Sequence, residues 1–283
     1  MATRRAAPSR LSDRLKLCVL RAVAGLCLWA LLLRCLGNAI AHDTSDGGCA
    51  LKLGIMQPYW FPYIGYFQLV KLVDQFVILD DAQWIASGWI NRNRYLVQGK
   101  PRYFTLPVRR GSYLTKINEK VFAPDVARHK EHILRQIKYN YAKAPFFNQV
   151  LPLVTACLSN DESNVAAFVL NSLQRCCQFL NITTPFIRSS EIDSGSDLKG
   201  QDRVLSIVKR LGSDHYINSI GGTELYGRAR FEELGVRLSF LRAEKMSYPQ
   251  FANEFVPDLS IIDVMMFNSP NEIKTLLDTF ELC

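Results

Sequence analysis

The sequence predicts an α/β protein, with a three-layer Rossmann-like sheet in the N-terminal half of its body and a helical C-terminal part. Three observations support this. From Leu51 the body opens with strand, loop, helix and strand in about thirty residues, which is the pattern of a βαβ unit. Short apolar runs then alternate with longer amphipathic ones toward residue 241. The composition is that of an ordinary globular chain: 283 residues, 48% apolar and 21% charged, ample for a hydrophobic core. Whole-chain disorder, collagen, coiled coil and a disulfide miniprotein are excluded. A polytopic membrane protein is excluded too, since one segment alone is apolar enough to be considered.

Leu51 to Met56 reads as a buried strand, ended by Pro58. Tyr59 to Gly65 is an aromatic loop. Tyr66 to Val73 has helical spacing, and Phe76 to Leu79 is a second buried strand closed by Asp80 and Asp81. A right-handed crossover puts both strand ends on one edge, so Gln57, Asp80 and Asp81 are expected to face one crevice. Tyr95 to Val97 and Tyr103 to Val108 read as a hairpin around Gln98-Gly99-Lys100, and Ile117 to Phe122 as another strand. Helices are expected from Pro124 to Tyr141, from Asn148 to Leu158 and from Asn164 to Leu180, the last capped by Asn160, Asp161 or Ser163. Phe186 to Arg188 is a short strand and Ser189 to Gly200 a polar loop. Gln201 to Leu211 is a helix ending at Gly212, and His215 to Asn218 a strand. Glu224 to Leu234 is a helix, Val236 to Leu241 a strand, and Ile261 to Phe267 and Asn271 to Phe280 close the chain as helices, with Ser260 as a cap.

The first fifty residues stand apart from residues 51–283. They hold seven Lys/Arg and three Asp/Glu, against 27 and 23 in the body, so each part supplies half of the net charge of +8. No block of five or more like charges appears, so a nucleic-acid arm is not indicated. Leu17 to Leu36 is apolar but interrupted by Arg21 and Arg34. Its clean part, Ala22 to Leu33, is twelve residues, short of the roughly 20 of a spanning helix. It fits the core of a signal peptide, with Ala39-Ile40-Ala41 as a cleavage pattern. An uncleaved anchor, a transit peptide and an untranslated stretch are the other readings. Export, an organelle or a membrane anchor follows if residues 17–41 act as such; otherwise the chain is cytoplasmic. Membrane contact is expected only through this segment. If the body is luminal, Asn181-Ile182-Thr183 is a glycosylation sequon. Cys157, Cys176, Cys177 and Cys283 of the body read as core filler rather than a disulfide framework.

Five constellations are candidates for chemistry. Tyr59, Trp60 and Tyr63, with Tyr66 behind them, form either an aromatic lid over the sheet edge or a stacking surface for a sugar or base. In Gly88 to Arg94, Trp89 precedes alternating amides and guanidiniums: Asn91 and Asn93 on one face of an extended segment, Arg92 and Arg94 on the other. A forked guanidinium suits phosphate or carboxylate, and decoration of a solvated hairpin is the alternative. Asn218, with Gly221 and Gly222 before a helix and Tyr226 beyond, is either a generic anion site or ordinary turn chemistry. Asp80 and Asp81 suit acid–base or metal chemistry, or simple neutralisation by nearby arginines. Pro257 to Asp263 reads as helix-capping sequence. His129 and His132 share a helix face without a third ligand, which is not a zinc site.

Leu51 to Gly65 (LKLGIMQPYWFPYIG), Tyr66-Phe67-Gln68, Asp80-Asp81 and Gly88 to Arg94 resemble the WbqC-like protein family, in which the chain starts near Leu51. So do Phe104 to Pro107, Lys143-Ala144-Pro145, Tyr216 to Asn218, Gly221-Gly222, Leu225-Tyr226 and Leu259 to Asn268. The resemblance implies a role in surface-polysaccharide biosynthesis and an N-acyl or aminoacyl (glycine) transferase acting on an amino-sugar nucleotide or glycan intermediate. It brings no established catalytic residues. The residues themselves add an analogy to HUP-type nucleotide-binding domains, which begin with a similar strand, loop and helix and often form adenylates; ATP and Mg²⁺ are the cofactors that analogy implies. Its two-histidine signature is absent, with Gln57 and Tyr66 standing in those places. On this reading Gln57, Asp80 and Asp81 are the catalytic candidates and the aromatic, amide, guanidinium and glycine residues above bind substrate. A binding module without turnover and a nucleotidyltransferase are the alternatives. The expected partner is a small sugar nucleotide or glycan, not nucleic acid.

Overall fold

The computed structural model describes residues 50–112, 114–192, 195, 197–251 and 254–283. The signal, anchor and transit readings of the N-terminal segment lie outside the described residues. Among the described residues no helix is long and apolar enough to cross a membrane.

β1 (Lys52–Met56) pairs in parallel with β2 (Gln75–Ile78), and α1 (Ile64–Leu72) crosses between them, as the βαβ pattern predicts. The segment after β2 leaves the sheet. It forms the hairpin β3 (Arg92–Val97) and β4 (Lys100–Thr105), then α2 (Val126–Tyr141), α3 (Phe147–Leu158) and α4 (Val165–Phe179). The chain returns through β5 (Phe186–Arg188), α5 (Gly200–Arg210), β6 (His215–Ser219), α6 (Arg228–Glu232) and β7 (Arg237–Ala243). It ends with α7 (Ile261–Phe267), α8 (Pro270–Asp278) and β8 (Phe280–Leu282). The sheet order is β5-β2-β1-β6-β7-β8, with β8 alone antiparallel.

Side chains alternate across the sheet as the strand period requires. Leu53, Ile55, Val77, Tyr216, Leu238 and Phe240 point to one face and pack on Val204, Leu205 and Val208 of α5 and Phe231 of α6. Phe76, Ile78, Ile217 and Leu241 point to the other, where α1, α4, α7, α8 and the hairpin build the larger core. Helices on both faces make this a three-layer Rossmann-like α/β fold.

Several local expectations change. Ile117 to Phe122 is not a strand: Ile117–Glu119 is a 3₁₀ turn, and Val121 and Phe122 make only isolated bridges to Asn164 and Val108. The cap of α4 is Asn164 itself, whose side chain accepts from Ala167 N at 3.0 Å. The helix expected from Glu224 shortens to Arg228–Glu232. The hairpin turn is well explained: Gln98 and Gly99 both have positive φ (49° and 73°), the two-residue geometry whose twist suits a hairpin. Cys157, Cys176 and Cys177 are buried free thiols, while Cys283 is exposed.

Candidate functional site: the carboxyl edge of the sheet

The chain leaves β1 toward β2 on one side and later places β6 on the other, so the winding reverses between β1 and β6. Open α/β sheets bind ligands outside the strand ends at such a reversal, because the loops there diverge and leave a crevice. Gln57 follows β1. Asn218, at the end of β6, and the 3₁₀ turn Ile220–Gly222 follow on the opposite bank.

Three remote segments meet at the β1 bank. The aromatic loop is tied to the hairpin by Trp60 N donating to Trp89 O at 3.1 Å. The buried Asn93 amide donates to Trp60 O (3.1 Å) and Phe61 O (2.8 Å), and its own oxygen accepts from Arg94 N. The start of α7 joins through Ile261 N to Pro62 O and Ser260 N to Arg94 O, and Arg94 donates to Asp258 O at 2.8 Å. Phe61, Ser87 and Asp258, one in or beside each segment, hold positive φ (45°, 64° and 56°). Backbone in this region is costly for residues other than glycine and persists only where the surroundings enforce it.

The aromatic side chains divide. Trp60 is fully buried among Phe61, Phe104 and Phe168, and its Nε1 has no hydrogen-bond partner among the described residues. Tyr66 is buried too, and its hydroxyl donates to Gln57 O at 3.0 Å. Both belong to the core beneath the crevice. Tyr59 and Tyr63, in the loop that follows β1, stay half-buried. Burial raises both phenols above their ordinary pKa, and the nearby Asp258 charge raises Tyr63 further. Gly65 makes this placement possible: a Cβ there would stand 2.4 Å from the Tyr63 ring.

In the hairpin Asn91 donates to Leu106 O at 2.8 Å, extending the pairing beyond β3. Arg92 and Arg94 share the outer face, with guanidiniums 5.9 and 5.8 Å from the Trp89 ring; Arg92 also lies 4.7 Å from the Tyr103 ring. Arg92 Nε and its terminal nitrogen donate to Gly88 O and Ser87 O, which holds the loop before β3.

Asp80 and Asp81 pair with different arginines but converge on Ser189, whose hydroxyl lies within hydrogen-bond distance of a carboxylate oxygen of each. Asp80 is fully buried; it accepts from Arg188 Nε (3.0 Å), Ser189 Oγ (3.1 Å), Ser190 N (3.0 Å) and Ser190 Oγ (2.8 Å). Asp81 pairs with Arg203 of α5 at 2.6 Å, its side chain 11% exposed. These partners lie more than 100 residues away, and no spacing in the sequence announces Arg188, Ser189, Ser190 or Arg203. Among the described residues no group of three or more His, Cys, Asp or Glu is placed to hold a metal ion.

On the β6 bank Asn218 is buried. Its amide donates to Tyr216 Oη at 2.9 Å, and its oxygen accepts from Ser219 N. Gly222 packs against it: a Cβ there would meet Asn218 Nδ2 at 2.9 Å, whereas nothing lies within 4 Å of one at Gly221. Tyr226 closes edge-on over the Tyr216 ring. Elsewhere, an open cleft of about 440 Å³ lies at the start of β7 by Arg237 and Leu282, and one of about 360 Å³ where α4 meets β5 by Asn181 and Phe186. Neither borders the winding reversal, so the crevice is assigned here from topology.

The uncharacterized protein Rv1507c of Mycobacterium tuberculosis (strain ATCC 25618 / H37Rv) is 27% identical over 221 residues, which cover 77% of this chain and 93% of that protein. No solved structure matches the chain. The WbqC-like protein family matches residues 57–275, a stretch that begins just after β1, takes in all three segments of the junction and ends within α8. The chain belongs to the WbqC-like protein family.

Proposed function

We propose that the chain is an N-acyl or aminoacyl (glycine) transferase acting on an amino-sugar nucleotide or glycan intermediate. Family membership supports the coarser part of this, a role in polysaccharide-related biosynthesis. The observation that supports a nucleotide-linked substrate is the winding reversal between β1 and β6, with half-buried tyrosines on one bank and a close-packed glycine turn on the other. In this reading Tyr59 and Tyr63 stack on the sugar or base, and the turn at Gly221 and Gly222 presents backbone N–H groups to phosphate. Arg94, already held at Asp258, lies on the Tyr63 side. The sugar amine attacks the carbonyl of an activated donor. A C–N bond forms, the donor's leaving group departs with its electron pair, and Asp81 takes the amine proton. Asp80 holds the loop after β5 in place.

The test is a thermal-shift series on the full chain with UDP- and dTDP-amino sugars, and with ATP and Mg²⁺. A ligand present at a hundred times its Kd stabilises by about 2.7 kcal/mol, which is about 5–10 °C in a chain of this size. A shift with an amino-sugar nucleotide, followed by acyl transfer to it that is lost in Asp81→Asn, is the expected result. No shift with any of these ligands overturns the reading. A second reading, a sugar- or nucleotide-binding module without turnover, is favoured by the engagement of both carboxylates by arginines. It predicts binding with no transfer.

A further inference from the structure

We propose that the β3–β4 hairpin and the loops at its base dock on an anionic phospholipid bilayer. This stands independently of the transfer reading. Between Asp81 and Glu119 the chain carries no acidic residue and seven cations: Arg92, Arg94, Lys100, Arg102, Arg109, Arg110 and Lys116. Residues 51–283 hold 27 basic and 23 acidic side chains, so the body without this segment is net negative and its positive charge gathers here. Among the described residues none of the seven stands in an ion pair.

The same segment exposes large apolar side chains. Ile85 is 57% exposed, Leu114 63%, Tyr103 55% and Trp89 36%. The antiparallel bridge Gln83 to Lys116, with Trp84 N bonded to Thr115 O, brings together the two loops that carry Ile85 and Leu114. Arg92 ties the loop at Ser87 and Gly88 to the Trp89–Tyr103 pair, whose rings lie 6.2 Å apart. Arg109 and Arg110 are exposed in the loop that leads to Leu114.

Cations beside exposed aliphatic and indole side chains fit a bilayer surface. Arginines reach phosphate headgroups while their stems lie along apolar surface, and tryptophan and tyrosine favour the interfacial depth. A nucleic acid would use the cations and stack on the rings, but it offers nothing to Ile85 and Leu114. The contact adds to the one expected of the N-terminal segment.

The test is co-sedimentation of the full chain with phosphatidylcholine vesicles, with and without phosphatidylglycerol, at low and high salt. Each cation near an anionic surface strengthens binding about fivefold, so R109Q/R110Q is expected to lower partition onto anionic vesicles about 25-fold. Its effect on neutral vesicles is expected to be nil. The I85S/L114S variant is expected to weaken binding at both salt concentrations, since apolar contact is not screened. The N-terminal segment is common to all variants and cancels in the comparison, and thermal melts confirm that each variant folds. Equal partition of wild type and both variants overturns the proposal. So does displacement of the chain from anionic vesicles by polyuridylate at equal phosphate concentration, which would assign the patch to nucleic acid.

Discussion

Asn93→Ala is expected to loosen the aromatic loop at a cost of about 3 kcal/mol. The side chain is 3% exposed, and its amide supplies donors to two carbonyls, Trp60 O at 3.1 Å and Phe61 O at 2.8 Å. A buried acceptor left without its donor costs about 1–3 kcal/mol, so two give about 2–5, and the small volume removed adds little. Those carbonyls flank Phe61, whose φ of 45° is maintained against its own preference, so the loop has a conformation to relax toward. Urea unfolding measures the effect. With an m value near 3 kcal/mol/M, the midpoint falls by about 1 M. Asn93→Asp is a sharper probe: it has the same shape but turns an acceptor toward both carbonyls, so it loses more than Asn93→Ala at neutral pH and recovers part of the loss in acid, when the carboxyl regains a donor. Hydrogen exchange of the Trp60 amide, bonded to Trp89 O, is expected to quicken in both variants. A change in stability below about 0.5 kcal/mol for Asn93→Ala, or equal losses for the two variants, refutes the clamp.

Gly222→Ala is expected to push Asn218 from its place and cost about 1–3 kcal/mol, while Gly221→Ala stays close to wild type; paired thermal melts check the contrast, and equal costs contradict it. Asp80→Asn is expected to lose about 3 kcal/mol by denaturant unfolding, because Arg188 loses its buried partner and the seryl donors meet an amide; a wild-type midpoint would remove Asp80 from the structural role described. Asp263 is buried, and burial raises its carboxyl pKa even though Tyr141, Tyr248 and Gln250 all donate to it and favour the charge. The folded chain therefore holds this proton to a higher pH than the unfolded one. Between the ordinary carboxylate value near about 3.9 and the raised one, this group's contribution to stability falls as pH rises. The stability of wild type relative to D263N is expected to decline through that window in melts taken from acid to neutral pH, and a flat difference contradicts it.

Much of the architecture was legible because it is local. The opening βαβ unit follows from two short apolar runs around a helical one, and β1, α1 and β2 appear within two residues of their expected places. Gln98-Gly99 announces a hairpin through Gly99, which adopts positive φ without a Cβ clash and carries Gln98 with it, and Ser260 caps α7, which spans its expected Ile261–Phe267. Where competing local and long-range terms are close, the local pattern misleads. Val121 and Phe122 look like strand residues but find only single bridges, and the Glu224 segment makes a full helix only from Arg228.

The sequence alone, then, determined the fold class, the family and the loops that crowd one sheet edge, because periodicity, turn chemistry and motif order are properties of neighbouring residues. Only the tertiary structure decided what those loops do. Trp60 and Tyr66 went to the core while Tyr59 and Tyr63 stayed half-buried, Asn93 turned its amide onto the loop backbone, and Asp80 and Asp81 took Arg188 and Arg203 as partners while sharing Ser189. β8 lies antiparallel on the edge of β7, a pairing that its three residues do not announce. Each of these outcomes depends on partners about thirty to more than a hundred residues away, and which face of a strand or helix meets which neighbour is set by packing and by the need to satisfy buried polar groups.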